Sequence, residues 1–182
     1  MEVVENIIDR LVEKYGAAME VHRRYLADFR GKVVKYDEIP LYLQNEIEVL
    51  RENNASRSKN TPVIDNVSAV LIVKKGGKVV AKFYGENRMA TPRELIGMKR
   101  WYPDHVRSVH AEYDAVLNFV DWYLWKEPTK GRRYDFELVV VRNGGGIPSR
   151  PCKYCREMLH ELLGRVKIFF VLDTEHVGVE EV

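Results

Sequence analysis

The stretch NVSAVLIVKKGGKVVAKFYGENR, residues 66–88, sets two β-rich runs on either side of Lys75-Gly76-Gly77-Lys78. Paired glycines supply the backbone freedom that a two-residue turn needs, so the spacing predicts a β-hairpin. The first run is almost continuously apolar, as in a strand covered on both faces. Downstream, VHAEYDAVLNFVDWYLW (109–125) places Ala111, Ala115, Val116, Leu117, Phe119, Val120 and Tyr123 at helical spacing. YDFELVVVRN (134–143) reads as a strand, PCKYCREMLHELLG (151–164) as a helix closed by Gly164, and KIFFVLD (167–173) as another strand. HVGVEEV follows too closely for a crossover helix and is expected to pair back as a short antiparallel strand. Strands alternating with helices in this order predict a three-layer α/β/α domain around a mixed sheet of about five strands.

Upstream, Val4, Ile7, Ile8, Leu11, Tyr15, Met19, His22, Tyr25, Leu26 and Phe29 give a helical apolar face over residues 3–29. DEIPLYLQNEIEVLREN (37–53) reads as a second helix, with Pro40 in its first turn. NASRSKNTP (54–62) is polar and turn-rich, a linker. Two helices of about 45 residues together rarely fold alone. Residues 1–60 are therefore expected to form a helical extension, packed on a main domain over 61–182 or on a second subunit.

Composition sets the outer bounds. A length of 182 residues fits one domain with a real core, and 46% hydrophobic with 31% charged residues describes a soluble globular protein. The net charge of +2 is too small to argue by itself for nucleic acid. No apolar run approaches the roughly 20 residues of a membrane span. The N-terminus carries acids from Glu2, which makes a poor signal peptide. The two cysteines lie too close for a disulfide framework, so a reducing, cytoplasmic setting is expected.

Those cysteines, Cys152 and Cys155, sit at i and i+3 behind Pro151 at a helix start, where free amides favour thiolates and a metal favours them further. A soft metal such as zinc takes four ligands, and a catalytic zinc keeps one position for water. Among the five histidines, His22 falls on the apolar stripe of the first helix. His160 lies about 140° round the helix from Cys155 and points away. His176 is in the terminal turn and His105 in a loop. His110 opens a helix and is followed two residues on by Glu112, giving one ligand and one carboxylate beside the metal. A redox dithiol is the competing reading of Cys-x-x-Cys, and it leaves His110 and Glu112 without a role.

His110-Ala111-Glu112 followed by Pro151-Cys152-x-x-Cys155 resembles the signature of the zinc-dependent cytidine deaminase superfamily. The order of elements is similar too, and the resemblance spans roughly residues 63–175. It implies that His110, Cys152 and Cys155 hold Zn²⁺ with water as fourth ligand. It also implies that Glu112 shuttles protons while hydroxide attacks an amine-bearing ring carbon and ammonia leaves. Relatives place an asparagine after the second strand against the substrate, and Gly85-x-Asn87 matches; Ala111 and Pro151 are the further substrate contacts implied. Homo-oligomers are common among relatives and are expected here.

The substrate stays open at this point. Cys155-Arg156…Leu159 and the short link from FFVLD to HVGVEEV resemble deaminases of free cytidine. His110 in place of a third cysteine, Met89 in place of a sugar-binding glutamate, and GENR (85–88) are closer to tRNA adenosine deaminases. The insert MATPRELIGMKRWYPDHVRS (89–108) mixes Arg93, Lys99, Arg100 and Arg107 with Trp101 and Tyr102, which suits a nucleic-acid grip, a lid or an ordinary packed loop. RNGGGIPSR (142–150) has three glycines that permit a close ligand or a loose turn. The interval 113–150 between Glu112 and Pro151 is longer than the family pattern, the excess reading as an extended helix through Trp122 and Trp125 and a basic turn with Lys126, Lys130, Arg132 and Arg133. Three readings follow: a deaminase of a free cytosine-type base, nucleoside or nucleotide, which is favoured; a deaminase of a base within RNA or single-stranded DNA; and a catalytically silent, zinc-stapled nucleic-acid-binding module. Glu112 speaks against the last, because a structural zinc site has no use for a carboxylate there.

Overall fold

A computed structural model of the protein describes residues 2–57, 65–125 and 133–182. The helix expected over 3–29 is broken. Helix α1 (Glu2–Tyr15) buries Val4, Ile7, Ile8 and Leu11, a 3₁₀ turn covers Ala17–Glu20, and α2 spans Val21–Tyr25. The break falls at Gly16, whose φ of 100° only glycine adopts cheaply. Its amide still bonds the Val12 carbonyl at 2.8 Å, ending α1. The redirected chain then sinks Leu26 and Phe29 into the core that α1 covers.

A short strand, β1 (Lys32–Lys35), precedes helix α3 (Leu41–Ser56). Pro40 stands just ahead of α3 as its N-cap, not inside its first turn. The helix also runs past the expected stop at Asn53, and the reason is Asn54. That side chain is buried, donates to the carbonyls of Val141 (3.1 Å) and Asn143 (3.0 Å), and accepts from Ser68 Oγ (2.6 Å). Three satisfied bonds fasten the last turn of α3 to the sheet, where a solvated linker was expected over 54–62. The rest of that linker from residue 58 to 62, and Lys126, Lys130 and Arg132 of the basic turn, lie outside the described residues.

The hairpin forms as read: β2 (Val67–Lys75) and β3 (Lys78–Glu86) join through Gly76 and Gly77 at φ 59° and 79°. There follow β4 (Arg88–Met89), α4 (Pro92–Met98), β5 (Ser108–Val109) and α5 (Ala111–Trp125). The chain closes with β6 (Asp135–Arg142), α6 (Lys153–Leu163), β7 (Val166–Val171) and β8 (His176–Glu181). Six strands pair in the order β1-β8-β7-β6-β2-β3, with β6 and β7 parallel and the other neighbours antiparallel. Strand β1 is the addition to the expected five; a four-residue edge segment with two apolar residues carries no readable alternation. The terminal segment pairs back antiparallel on β7, as its short connection required.

Both faces of the sheet are covered, which makes the architecture α/β/α. Ala69, Leu71, Val73, Leu138, Val140, Ile168 and Phe170 meet α1, α5 and α6. Val70, Ile72, Val139, Val141, Phe169 and Val171 meet Leu43, Ile47 and Leu50 of α3. This explains why Ser68–Val73 are buried without a break. Each such aliphatic side chain withdrawn from water contributes about 1.5–3 kcal/mol before the entropy of ordering is subtracted. No helix among the described residues is long and apolar enough to cross a membrane.

Candidate metal centre and active site

The N-termini of α5 and α6 converge where the parallel strands β6 and β7 end, the position at which open α/β sheets commonly bind ligands. Helix α5 begins immediately after His110, whose carbonyl accepts the Asp114 amide at 3.0 Å. Asp114 in turn accepts from the Glu86 amide (3.1 Å) and from Arg88 (3.0 Å), tying the first turn of α5 to the end of the hairpin. Gly85 lies flat beneath this turn: a Cβ there would stand 2.3 Å from both Ala111 O and Ala115 N. Helix α6 is capped by Cys152, whose Sγ accepts the Cys155 amide at 3.5 Å. Pro151 is buried ahead of it, with its carbonyl held by Arg156 at 2.7 Å. The glycine-bearing loop is anchored at Ser149, whose hydroxyl lies 2.8 Å from Val140 O and 3.0 Å from Val171 O.

These elements bring three soft donors together. His110 Nδ1 is 3.6 Å from Cys152 Sγ and 3.4 Å from Cys155 Sγ, and the donor atoms of all three lie within 4.8 Å of one another. Ligands at the usual zinc–nitrogen and zinc–sulfur lengths, about 2.0 and 2.3 Å, stand roughly 3.6 Å apart at tetrahedral angles. The spacing fits a metal ion, so His110, Cys152 and Cys155 form a group able to hold one.

The electrostatics fit as well. A hydrogen bond from Cys155 holds the Cys152 thiol down to about 4 against the cost of burial, with His110 assisting. Burial pushes the Cys155 thiol well up, the usual effect of a dry site on a group that must become an anion. Burial works to lower His110, yet its bond with Cys152 prevails and the imidazole is raised. Glu112 is 4% exposed and its carboxyl is raised, chiefly by burial. A cation at the three donors would neutralise the charge that this pocket otherwise resists.

A cleft of about 1000 Å³ opens over the cluster, and His110, Ala111, Glu112, Pro151, Cys152 and Asn87 all line it. Asn87 is heavily engaged. Its Oδ1 accepts from Arg57 (2.7 Å) and the Val67 amide (2.9 Å), and its Nδ2 donates to Asp65 O (2.7 Å), which leaves one N–H for a ligand. Of the other histidines, His22 is buried in the core, His176 is bonded to Asp173 at 2.9 Å, and His105 and His160 are exposed.

Two features carried no readable signal in the sequence. Tyr102, within the 89–108 insert, is buried, with its hydroxyl 2.8 Å from Cys155 Sγ. Arg24 of α2, over eighty residues from His110 in the chain, lines the same cleft. The end of α2 is tied to the cleft by Arg150, which donates to Tyr25 O at 2.9 Å and pairs with Asp28 at 2.6 Å.

No protein-family model and no curated protein matches the chain. Among solved structures it is similar to a cytidine deaminase from Burkholderia pseudomallei, with 20% identity over 73% of this chain and 90% of that one, at a TM-score of 0.45. It is similar also to a cytidine deaminase from Mycobacterium tuberculosis, with 22% identity, 68% and 81% coverage and a TM-score of 0.43. A dCMP deaminase from the cyanophage S-TIM5 follows at 18% identity, 69% and 79% coverage and a TM-score of 0.36.

Proposed function

We propose that the protein is a zinc-dependent hydrolytic deaminase of the cytidine deaminase superfamily, releasing ammonia from a cytosine-type base, nucleoside or nucleotide. The observation that carries this reading is the buried carboxylate of Glu112 in one cleft with three metal-donor atoms at mutually suitable distances. Three protein donors match a catalytic zinc site, which keeps a position for water, and not a closed structural one. Zinc held by His110, Cys152 and Cys155 supplies the positive charge that makes a water nucleophilic at neutral pH.

The chain's own residues do the rest. Glu112 accepts a proton from the attacking water as its oxygen bonds to the amine-bearing carbon. It delivers that proton to the ring nitrogen, so one O–H is exchanged for one N–H. It next takes the proton remaining on the added oxygen and passes it to the amine as the carbon–nitrogen bond breaks and ammonia leaves. Burial suits the task, because a raised carboxyl gives up and regains protons closer to neutrality. Asn87, Ala111 and the Pro151 segment frame the base at the cleft wall, with the free Asn87 N–H directed to the substrate.

The redox reading is weaker, because it leaves His110, whose Nδ1 lies 3.6 Å and 3.4 Å from the two sulfurs, and the buried Glu112 without a role. A cytoplasmic homo-oligomer is the setting that agrees with two unpaired thiols and with the family pattern. Metal analysis together with ammonia release from cytosine, cytidine, deoxycytidine, their monophosphates, adenosine and guanine tests the reading. About one zinc per chain and ammonia from cytosine-type compounds are expected. Protein free of metal after purification in zinc, or no ammonia from any compound, would overturn it.

A further inference from the structure

We infer that the substrate is a mononucleotide whose phosphate is bound by Arg24, Arg107 and Lys153, which deepens the deaminase reading and rests on it. Among the described residues six cations line the cleft: Arg24, Arg107, Arg142, Arg150, Lys153 and Arg156. Three acids share it, Asp28, Asp65 and Glu112. Ion pairing absorbs half of the cations. Arg150 is held by Glu180 at 3.0 Å and Asp28 at 2.6 Å, Arg156 by Asp28 at 3.0 Å, and Arg142 by Asp65 at 3.3 Å.

Arg24, Arg107 and Lys153 have no acidic partner among the described residues. They come from α2, the segment before β5 and the first residue of α6, so the fold gathers them from three places round one opening. Three like charges about one cleft repel each other unless an anion sits among them. A phosphate with about −1.5 to −2 charges and several acceptor oxygens answers that arrangement, whereas a neutral nucleoside does not.

A single phosphate suits the site better than a polymer. Sequence-tolerant binding of a strand needs cations and aromatic platforms along its track. The two aromatic side chains that the insert could offer as platforms, and Arg100 beside them, are already committed. Arg100 pairs with Glu161 of α6, Trp101 Nε1 donates to the same carboxylate at 2.7 Å, and Tyr102 is buried against Cys155.

The test compares kcat/KM and dissociation constants for cytidine and deoxycytidine against their 5′-monophosphates. The monophosphate should be preferred by roughly a hundredfold, the worth of one or two charge-assisted bonds. Arg24→Ala and Arg107→Ala should each shrink that preference about tenfold. Equal treatment of nucleoside and monophosphate overturns the inference, as does an oligonucleotide preference with steep salt dependence. If no compound releases ammonia, the deaminase reading falls by itself, and the binding constants still decide whether phosphate is recognised.

A separate observation concerns the metal ligands, and the structure assigns Tyr102 as a positioning residue for Cys155. Both are buried, and the phenol oxygen is 2.8 Å from the sulfur. The Tyr102 ring also stands edge-on to His110 at 5.1 Å, so one side chain braces two of the three donors. Its backbone is fixed in turn, the amide bonding Met98 O at 2.9 Å. A metal-bound thiolate has no proton to give, so the phenol donates and draws charge from the sulfur. Partners of this kind typically govern metal affinity by about 10–100-fold. Tyr102→Phe keeps the ring and removes the donor. It should weaken zinc binding in chelator competition by about 10–100-fold and shift the sulfur-to-metal charge-transfer band of the cobalt-substituted protein. Affinity and band both unchanged would overturn the assignment alone, while a wild-type protein that takes up neither metal would overturn the metal centre with it.

Discussion

Glu112→Gln yields a folded, zinc-loaded protein whose turnover is lower by about 10³–10⁴-fold, the upper range for losing a group that serves as both base and acid. Glutamine keeps the shape of the side chain and cannot carry the proton. Zinc content stays at the wild-type level, because the three donors belong to His110, Cys152 and Cys155. Stability should not fall, and should rise if anything. Glu112 is 4% exposed with its carboxyl raised by burial, so ionising it in the folded state is disfavoured. The sign follows from linkage. A carboxyl raised on folding favours the native state only at pH low enough to protonate it, and that advantage disappears as pH rises through its folded value. A neutral amide removes the unfavourable side of that balance. Metal analysis, thermal melting and ammonia release on one preparation check all three statements. A Gln variant that still turns over within tenfold of wild type would remove Glu112 from the mechanism; one that loses its zinc would make Glu112 a part of the metal site.

The parts of this molecule that were legible in the sequence are those whose physics is local. Lys75-Gly76-Gly77-Lys78 between two β-rich runs needs only its own turn geometry to declare a hairpin, and the hairpin is there. His110 and Cys152 each open a helix, and the helices begin where the residue pattern places them. What the sequence concealed depends on partners far along the chain. Strand β1 exists because the edge of β8 is free to receive Lys32–Lys35. The long first helix breaks because Leu26 and Phe29 have a core to enter that no local spacing announces. Helix α3 continues through Asn54 because its amide is satisfied by carbonyls nearly ninety residues away. Tyr102 and Arg100 lie close together in one insert with very different fates. One is sealed against Cys155 and the other is paired on the surface of α6, and only packing decides which.

Gly85→Ala should damage the site almost as severely as losing a ligand, without touching one. The added Cβ would sit 2.3 Å from Ala111 O and 2.3 Å from Ala115 N, both backbone atoms of α5 with no rotamer to escape into. Either β3 or the helix must yield by on the order of 1 Å to restore van der Waals contact. The helix is the member that matters, since His110 precedes its first residue and Glu112 is its second. Overpacking of this kind costs about 1–3 kcal/mol of stability. Displacing reacting groups by about 1 Å costs on the order of 100-fold in rate. The substitution should therefore lower the melting temperature, weaken zinc binding and cut turnover together. Gly144→Ala is the matched control, because a Cβ there meets no atom within 4 Å and its backbone angle is not in the left-handed region. That variant should behave as wild type in all three measurements. A Gly85→Ala protein that melts and binds zinc like wild type would mean that α5 does not rest directly on the β3 backbone, and the placement of His110 and Glu112 would need another support.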